Sequence, residues 1–124
     1  MRYISLKKAL AAHAEVLDAS GGLEGVKNQG AVESILMHIR NDTYYPTFEE
    51  KMTHLVFSII KHHPFNDGNK RTSIALGALF LIRNRYPDEV IARFIVVLED
   101  VVVAVADNAI DKHALQRIIS GLLH

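Results

Sequence analysis

The sequence predicts an all-α protein, a compact bundle of about six helices that forms a single domain over residues 1–124. Apolar residues recur three and four positions apart through most of the chain, which is the spacing of a helix with one buried face. Glycines, prolines and capping residues divide these stretches into helix-length segments. Apolar residues make up 49% of the chain and charged residues 23%, as in ordinary soluble globular proteins, and 124 residues suffice to bury one core.

A glycine-rich loop separates the first two predicted helices. Ser5 can cap the first helix, whose apolar positions are Leu6, Leu10, Ala14 and Leu17. Glycines at positions 21, 22, 25 and 30 then indicate a loop. A shorter second helix is predicted over about residues 31–40, with a buried face formed by Val32, Ile35, Leu36 and Ile39.

The third and fourth helices are predicted to be central, with a short polar loop between them. Thr47 and Glu50 form a capping box that starts the third helix, and Pro64 ends it. Its inward positions are Met52, Leu55, Val56, Ile59 and Ile60. The fourth helix, about residues 69–85, is apolar nearly all round and is therefore expected to be largely buried. Its apolar residues are Ile74, Leu76, Ala78, Leu79, Leu81 and Ile82.

Residues 87–108 are compatible with either helix or strand. Residues 94–97 and 101–103 are runs of mostly β-branched residues, and periodicity alone does not decide short apolar runs of this kind. Helix is favoured, with Asp88 as its cap, because Asn108 and Asp111 bracket the end of the segment. Asp111 is predicted to cap a final helix over residues 112–122.

Charge and composition exclude several classes of function. The 14 basic residues balance the 14 acidic ones, which argues against a broad nucleic-acid-binding surface. The absence of cysteine excludes disulfides and thiolate metal sites. Charged residues interrupt residues 6–17, so no signal peptide is predicted, and Glu99 and Asp100 interrupt the apolar residues 94–106, which are too short to span a membrane. A cytoplasmic protein is expected.

Residues 63–71, His-Pro-Phe-Asn-Asp-Gly-Asn-Lys-Arg, concentrate unlike polar chemistry in nine positions and are called the motif below. His63 can accept a hydroxyl proton, and Asp67 can hold Mg²⁺. The Gly-Asn pair can open a helix whose N-terminus attracts anions, while Lys70 and Arg71 add positive charge for phosphate oxygens. The pattern predicts a site for a phosphate ester and a divalent cation, with the apolar Phe65 pinning the loop to the core.

The motif closely resembles the Fic signature, histidine-Pro-Phe-x-acid-Gly-Asn-Gly-Arg. The chain departs from the Fic pattern at two positions: Lys70 stands in place of the second glycine, and Ile74 in place of a further arginine. Both departures resemble the Doc (death-on-curing) branch of the family, which comprises the toxins of Phd–Doc toxin–antitoxin modules. The glycines of residues 21–25, the helix start at residues 30–33 and the Asn-Lys-Arg-Thr run of residues 69–72 also resemble that branch. The similarity extends from residue 1 to about residue 79 and weakens after Arg85.

The resemblance implies a Fic fold and the transfer of part of ATP to a protein hydroxyl. In ordinary Fic enzymes that part is AMP. In Doc toxins it is the γ-phosphoryl group, with the nucleotide bound in the reverse sense and a threonine of elongation factor Tu as the target, so that translation stops. Two alternatives remain at this stage. One is a Fic-type adenylyltransferase, supported by Pro64 and Gly68, and the other is a non-catalytic module that binds nucleotide or a partner.

The resemblance also implies a role for each residue of the site. His63 is the base that takes the proton of the target hydroxyl, and Asp67 binds the Mg²⁺ that bridges the phosphates of ATP. The other polar residues hold the phosphate chain, and the two cations also stabilise the charge of the transfer step: Asn66, Gly68, Asn69, Lys70 and Arg71. A phosphate contact is missing where Ile74 replaces the family arginine, which disfavours AMP transfer.

We expect the activity of this protein to be controlled by a separate partner protein. Residues 20–25 match the Ser/Thr-x-x-x-Glu-Gly/Asn pattern of an inhibitory helix found in Fic enzymes, but Gly21 and Gly22 each disfavour a helix by about 1 kcal/mol. We therefore predict a loop there. The resemblance then implies a Phd-like antitoxin whose C-terminal segment folds as a helix into an apolar groove.

The remaining polar and aromatic residues carry weaker signals. His62 is predicted to be an exposed helix-end residue, and five other histidines lack metal-ligand spacing and are predicted at the surface: His13, His38, His54, His113 and His124. A metal site of the HD-hydrolase type is disfavoured because the chain has no contiguous His-Asp pair. Tyr44, Tyr45 and Phe48 form either a loop cluster packed on the core or a flap that guides the target segment.

Overall fold

The computed structural model describes all 124 residues and contains six α-helices and no β-strand. In chain order the helices are α1 (Leu6–Ser20), α2 (Gln29–His38), α3 (Phe48–His62), α4 (Asn69–Arg83), α5 (Asp88–Ala106) and α6 (Lys112–Leu123). Outside them, Val26 and Phe65 form one isolated antiparallel β-bridge. The predicted all-α class with about six helices is confirmed. None of the helices combines the length and the apolar character needed to cross a bilayer.

Side-chain caps fix the start of most helices. Ser5, Thr47 and Asp111 accept backbone N–H groups at the starts of α1, α3 and α6, as predicted. Asn28 caps α2 in the same way, so α2 begins two residues earlier than the sequence indicated. Asp88 is not a cap: the chain enters α5 through Pro87 in an extended conformation, and Asp88 is the first helical residue.

Residues 88–106 form one continuous helix, α5, which decides between the two readings of the β-branched runs. Its buried residues are Phe94, Leu98, Val102 and Val105, spaced four, four and three apart. That spacing places them on one stripe of a helix. The stripe packs against α4 and α6, so tertiary packing outweighs the strand preference of valine and isoleucine.

Helix α3 runs through the middle of the bundle and packs against α2, α4, α5 and α6. Helix α4 lies beside it and is largely buried, as predicted, although Ile82 is 56% exposed and does not belong to the core. Helix α4 ends at Arg83 because the backbone turns away just after it: Arg85 adopts a left-handed φ of 62°, and Tyr86 N–H bonds back to the Leu81 carbonyl at 3.1 Å. The two central helices thus place the loop between them, residues 63–68, at one end of the core.

Three of the four apolar positions predicted for α1 lie against the core. Leu17 is buried, Leu6 and Leu10 are partly buried, and Ala14 is exposed. The most buried residues of the helix, Ala9, His13 and Leu17, are spaced four apart, and α1 packs against α4. The burial of His13 was not predicted, because an apolar pattern does not include a histidine.

Two histidines predicted at the surface are buried. His13 is 4% exposed and His54 9% exposed, whereas His38, His113 and His124 are exposed as expected. His54 lies on α3, where its Nδ1 accepts a hydrogen bond from Lys112 Nζ at 2.9 Å and its ring packs 4.4 Å from that of Tyr45. Burial lowers the pKa of His54 to about 4, and the Lys112 ammonium acts in the same direction.

The aromatic residues before and at the start of α3 are divided between core and solvent. Tyr45 packs on His54, and Phe48, the first residue of α3, stacks on Phe80 with ring centroids 4.6 Å apart. Tyr44 is 74% exposed. Tyr45 and Phe48, both half-buried, therefore fit the packed cluster, and Tyr44 is the most exposed of the three.

The close approach of α4 to α5 depends on Gly77. A Cβ atom there would lie 2.6 Å from Cζ of the fully buried Phe94 and 3.3 Å from Sδ of Met52. Gly77→Ala is expected to lower the free energy of unfolding by about 1–3 kcal/mol, because Phe94 must leave its packed position. Urea denaturation measures this. Gly121→Ala is the control, since nothing lies within 4 Å of its Cβ. It should raise stability by about 1 kcal/mol, and a similar effect at both glycines would contradict the packing argument.

His54 should make the fold sensitive to acid. Its folded pKa, about 4, lies below the ordinary value of 6.5, so the fold favours the neutral ring. The resulting stabilisation is complete above pH 6.5 and is lost as the pH falls towards 4. Between pH 7 and pH 5 the wild type is expected to lose about 2 kcal/mol more stability than His54→Gln. Urea unfolding at the two pH values measures the difference. The exposed His113→Gln should follow the wild type, and parallel losses in all three proteins would refute the assignment to His54.

Candidate active site

His63 ends α3 in a strained backbone conformation. Its φ of 47° and ψ of 54° are left-handed, which costs an L-residue about 1–2 kcal/mol. The turn directs the chain into the buried Pro64 and leaves the His63 side chain exposed at the edge of a cleft. His62, the last residue of α3, is exposed as predicted and does not line the cleft. Strain of this kind persists only where the surrounding structure fixes it.

Phe65 and Asn69 lock the loop that follows. Phe65 is fully buried, as predicted. The Asn69 side chain accepts the Phe65 N–H at 3.1 Å and donates to the Phe65 carbonyl at 3.0 Å. Because both ends of its amide are engaged and the residue is only 7% exposed, Asn69 can reach a phosphate through its backbone N–H alone.

Residues 24–28 hold the motif from the other side. Asn66 N–H donates to the Gly25 carbonyl at 3.1 Å, and Asn66 Nδ2 donates to the Glu24 carbonyl at 2.9 Å. Asn28 N–H donates to the Pro64 carbonyl at 2.9 Å. The neighbouring loop thus uses one Nδ2 hydrogen of Asn66, while the exposed residue still lines the cleft.

The Asp67 carboxylate is oriented by two backbone N–H groups. Leu23 N–H reaches Oδ2 at 3.1 Å, and Gly68 N–H reaches Oδ1 at 2.8 Å. These hydrogen bonds hold the pKa of the Asp67 carboxyl below its usual range, and it is therefore ionised at neutral pH. A Cβ atom on Gly22 would lie 2.7 Å from Oδ2, so the glycine lets the loop approach the carboxylate.

The N-terminus of α4 has no side-chain cap, and its first turn carries basic residues where acidic ones are usual. Gly68, at φ 74°, precedes the helix and provides no side-chain cap, and the first turn contains no acidic residue. It contains Lys70 and Arg71 instead, both exposed and free of ion pairs. Cations at a helix N-terminus oppose the helix dipole, so this arrangement is unfavourable until an anion binds. The first N–H groups of α4 lack helical acceptors and can bind that anion.

The motif forms one wall of a cleft of about 800 Å³. Seven of its residues line the cleft: His63, Asn66, Asp67, Gly68, Asn69, Lys70 and Arg71. The rest of the lining comes from α4 and α5: Ile74, Ile95, Glu99, Val102 and Val103. The volume lies within the range of small-molecule and cofactor sites. All seven predicted site residues therefore meet in one cleft.

Two parts of this site were not predicted from the sequence. The wall from α5 lies more than 20 residues after the motif, and only the packing of α5 on α4 brings it there. His13 of α1 contacts the motif from behind, through the Asp67 carbonyl and the Phe65 ring. Its spacing from Ala9 and Leu17 was the available signal, because a polar residue on a buried helical face normally has a partner.

The carboxylates of the cleft fit Mg²⁺ only in company with phosphate. The structure contains no group of three or more His, Cys, Asp or Glu side chains placed to hold a metal ion. Asp67 is ionised and lines the cleft beside the anion-attracting end of α4. Mg²⁺ is commonly bound by one or two carboxylates together with substrate phosphates, and this donor set suits that mode.

Comparison with known proteins agrees with the resemblance of the motif. A family model described as the Fic/DOC family matches residues 3–81, which include α1, the motif and most of α4. A curated protein of Escherichia phage P1, "Protein kinase doc", is 36% identical over 88 residues. The matched region covers 68% of this chain and 69% of the phage protein. The family match ends before α5, where the resemblance was expected to weaken.

The strain at His63 can be measured by comparing two variants that both lack the imidazole. His63→Gly is expected to be more stable than His63→Ala by about 0.5–1 kcal/mol, because glycine adopts the left-handed conformation without steric cost. Urea unfolding gives the difference. Ala11→Gly in the exposed middle of α1 is the control, and there glycine should cost about 1 kcal/mol. If alanine were the better residue at both positions, the backbone at His63 would not be strained.

Proposed function

This chain belongs to the Fic/Doc family, and we propose that it is a Doc-type protein kinase that transfers the γ-phosphoryl group of ATP to a serine or threonine hydroxyl of a protein. The observation that carries the proposal is the open N-terminus of α4. It has no cap and no acidic residue, and it presents two unpaired cations to a cleft edged by His63 and Asp67. A polyanion is the ligand that this arrangement stabilises.

In the proposed reaction the exposed His63 acts as the general base. The target hydroxyl oxygen forms a bond to the γ-phosphorus, the bond from that phosphorus to the β,γ-bridging oxygen breaks, and ADP leaves. The hydroxyl proton passes to a neutral imidazole nitrogen of His63. The imidazole stands at the edge of the cleft, which suits a hydroxyl carried by another macromolecule.

The other residues position the nucleotide and offset its charge. Lys70, Arg71 and the free N–H groups of α4 bind the phosphate oxygens and stabilise the charge that spreads over the transferred group. Asp67, held by Leu23 and Gly68, is the ligand for Mg²⁺. Mg²⁺ held there would offset the negative charge of the phosphates.

Two residues favour γ-phosphoryl transfer over AMP transfer. Lys70 places a long cationic side chain at the start of α4, where ordinary Fic enzymes have glycine, and it shifts the preferred phosphate position. Ile74 lies one turn later and lines the cleft with an apolar side chain, where those enzymes supply an arginine. The phage P1 relative, named a protein kinase, shares the family with this chain.

The biological role that we propose follows the Doc toxins. The target is a threonine of elongation factor Tu in the cytoplasm, and its phosphorylation arrests translation. A Phd-like antitoxin neutralises the toxin through a C-terminal helix. Two exposed apolar residues of α5 that line the cleft, Ile95 and Val103, are suited to contact such a helix.

The decisive experiment uses purified chain, Mg²⁺, elongation factor Tu, and ATP labelled at either the α or the γ phosphate. We expect label to pass to the factor from the γ position only. His63→Ala should reduce the rate by about 10²–10⁴-fold, since the base is lost. His62→Ala is the matched control, because it removes the adjacent exposed imidazole that does not line the cleft.

The other outcomes separate the alternatives. Transfer from the α position would replace the kinase by an adenylyltransferase and would show that Lys70 does not select the γ-phosphoryl group. Binding of ATP without transfer of either label to any protein of a cell lysate would favour the non-catalytic module. Full activity of His63→Ala would refute the catalytic assignment of His63.

A further inference from the structure

His13 of α1 contacts two residues of the motif, Phe65 and Asp67. Its Nε2 lies 2.9 Å from the backbone carbonyl oxygen of Asp67, 54 positions along the chain. Its ring stacks on that of Phe65, with centroids 3.9 Å apart and planes inclined by 12°. The residue is 4% exposed and does not line the cleft, so it cannot meet the nucleotide itself.

The hydrogen bond identifies Nε2 as the nitrogen of the His13 ring that donates. A carbonyl oxygen can only accept a hydrogen bond, so Nε2 carries the proton and donates it. A phenylalanine or leucine at this position would fill the same space and cover Phe65 equally well. The N–H donor is therefore what histidine adds to this buried site.

The bond also controls the direction of the next N–H group. The Asp67 carbonyl and the Gly68 N–H belong to one planar peptide unit and point in opposite directions. While His13 holds the carbonyl against α1, the Gly68 N–H points to Asp67 Oδ1, which it reaches at 2.8 Å. Rotation of this peptide would break both hydrogen bonds and turn a carbonyl oxygen towards the Asp67 carboxylate, which would repel it.

Helix α1 lies directly beside Gly68. A Cβ atom on Gly68 would lie 3.3 Å from Leu17, 3.7 Å from Val16 and 3.9 Å from His13 Nε2. Gly68 therefore lies next to the same helix that supplies the donor. We propose that His13 is a positioning residue that fixes the Asp67–Gly68 peptide, and through it the Asp67 carboxylate and the phosphate-binding end of α4. This role rests on the proposed phosphoryl transfer.

The test compares two replacements of His13 of similar size. His13→Phe keeps the stacked ring and removes the donor, whereas His13→Gln keeps an N–H donor at comparable reach. His54→Phe is the matched control, because His54 is buried on α3 and lies outside the cleft. For each protein we would measure kcat and KM for γ-phosphoryl transfer, the Mg²⁺ concentration for half-maximal rate, the exchange rate of the Gly68 amide, and stability in urea.

We expect His13→Phe to lower kcat about tenfold and to raise the half-saturating Mg²⁺ concentration several-fold, because Asp67 loses its fixed orientation. The Gly68 amide should exchange about fivefold faster. His13→Gln should restore kcat, Mg²⁺ dependence and exchange to within about threefold of the wild type. His54→Phe should lower stability without changing the three other quantities.

Unchanged kcat, Mg²⁺ dependence and Gly68 exchange in His13→Phe would overturn the proposal. Equal losses in His13→Phe and His13→Gln, in proportion to stability, would also overturn it, since they would indicate a role in packing only. If His13→Phe does not fold, His13→Met replaces it as the variant without a donor, with the same expected changes. If the wild type transfers no phosphate, the proposed kinase fails on its own, and Gly68 exchange decides the role of His13: acceleration in His13→Phe with recovery in His13→Gln upholds it, and no acceleration refutes it.

Discussion

The site depends on one constraint: the six-residue connection between the two central helices must hold a single conformation. It begins and ends with left-handed residues, His63 at φ 47° and Gly68 at φ 74°. Between them, the Asn69 side chain closes two hydrogen bonds onto the backbone of the fully buried Phe65. Loops without such anchoring are mobile, and a mobile loop could not keep the proposed base, the Asp67 carboxylate and the proposed anion site in fixed relative positions.

The connection is supported from three directions. Helix α4 supplies Asn69, α1 supplies His13, and residues 23–28 supply backbone groups that reach Pro64, Asn66 and Asp67. The glycines of the loop between α1 and α2 permit this approach, since a Cβ atom on Gly22 or Gly25 would lie 2.7 Å from the Asp67 or Asn66 side chain. The resemblance of residues 21–25 to the Doc branch thus has a physical reason, which is contact with the motif.

The chain has no net charge, so the positive charge at the site comes from which residues stand at the start of α4. Helices α1, α2, α3 and α6 satisfy their N-termini with side-chain caps, and α5 begins with Asp88 and Glu89. Helix α4 alone has neither a side-chain cap nor an acidic residue in its first turn, and it begins with Asn69, Lys70 and Arg71. Leaving its dipole and two cations unbalanced costs stability in the free protein. Binding of the proposed anion would offset that cost.

The sequence by itself determined the helical class, three of the four side-chain caps, the burial of Phe65 and the identity of the motif. These follow from spacing and capping over a few residues, and such local rules hold wherever the segment lies in the fold. It did not determine the helical state of the valine-rich α5, the burial of His13 and His54, or the second wall of the cleft. Those depend on which helices pack together, because a β-branched run or a histidine takes its role from the partner brought against it across the core.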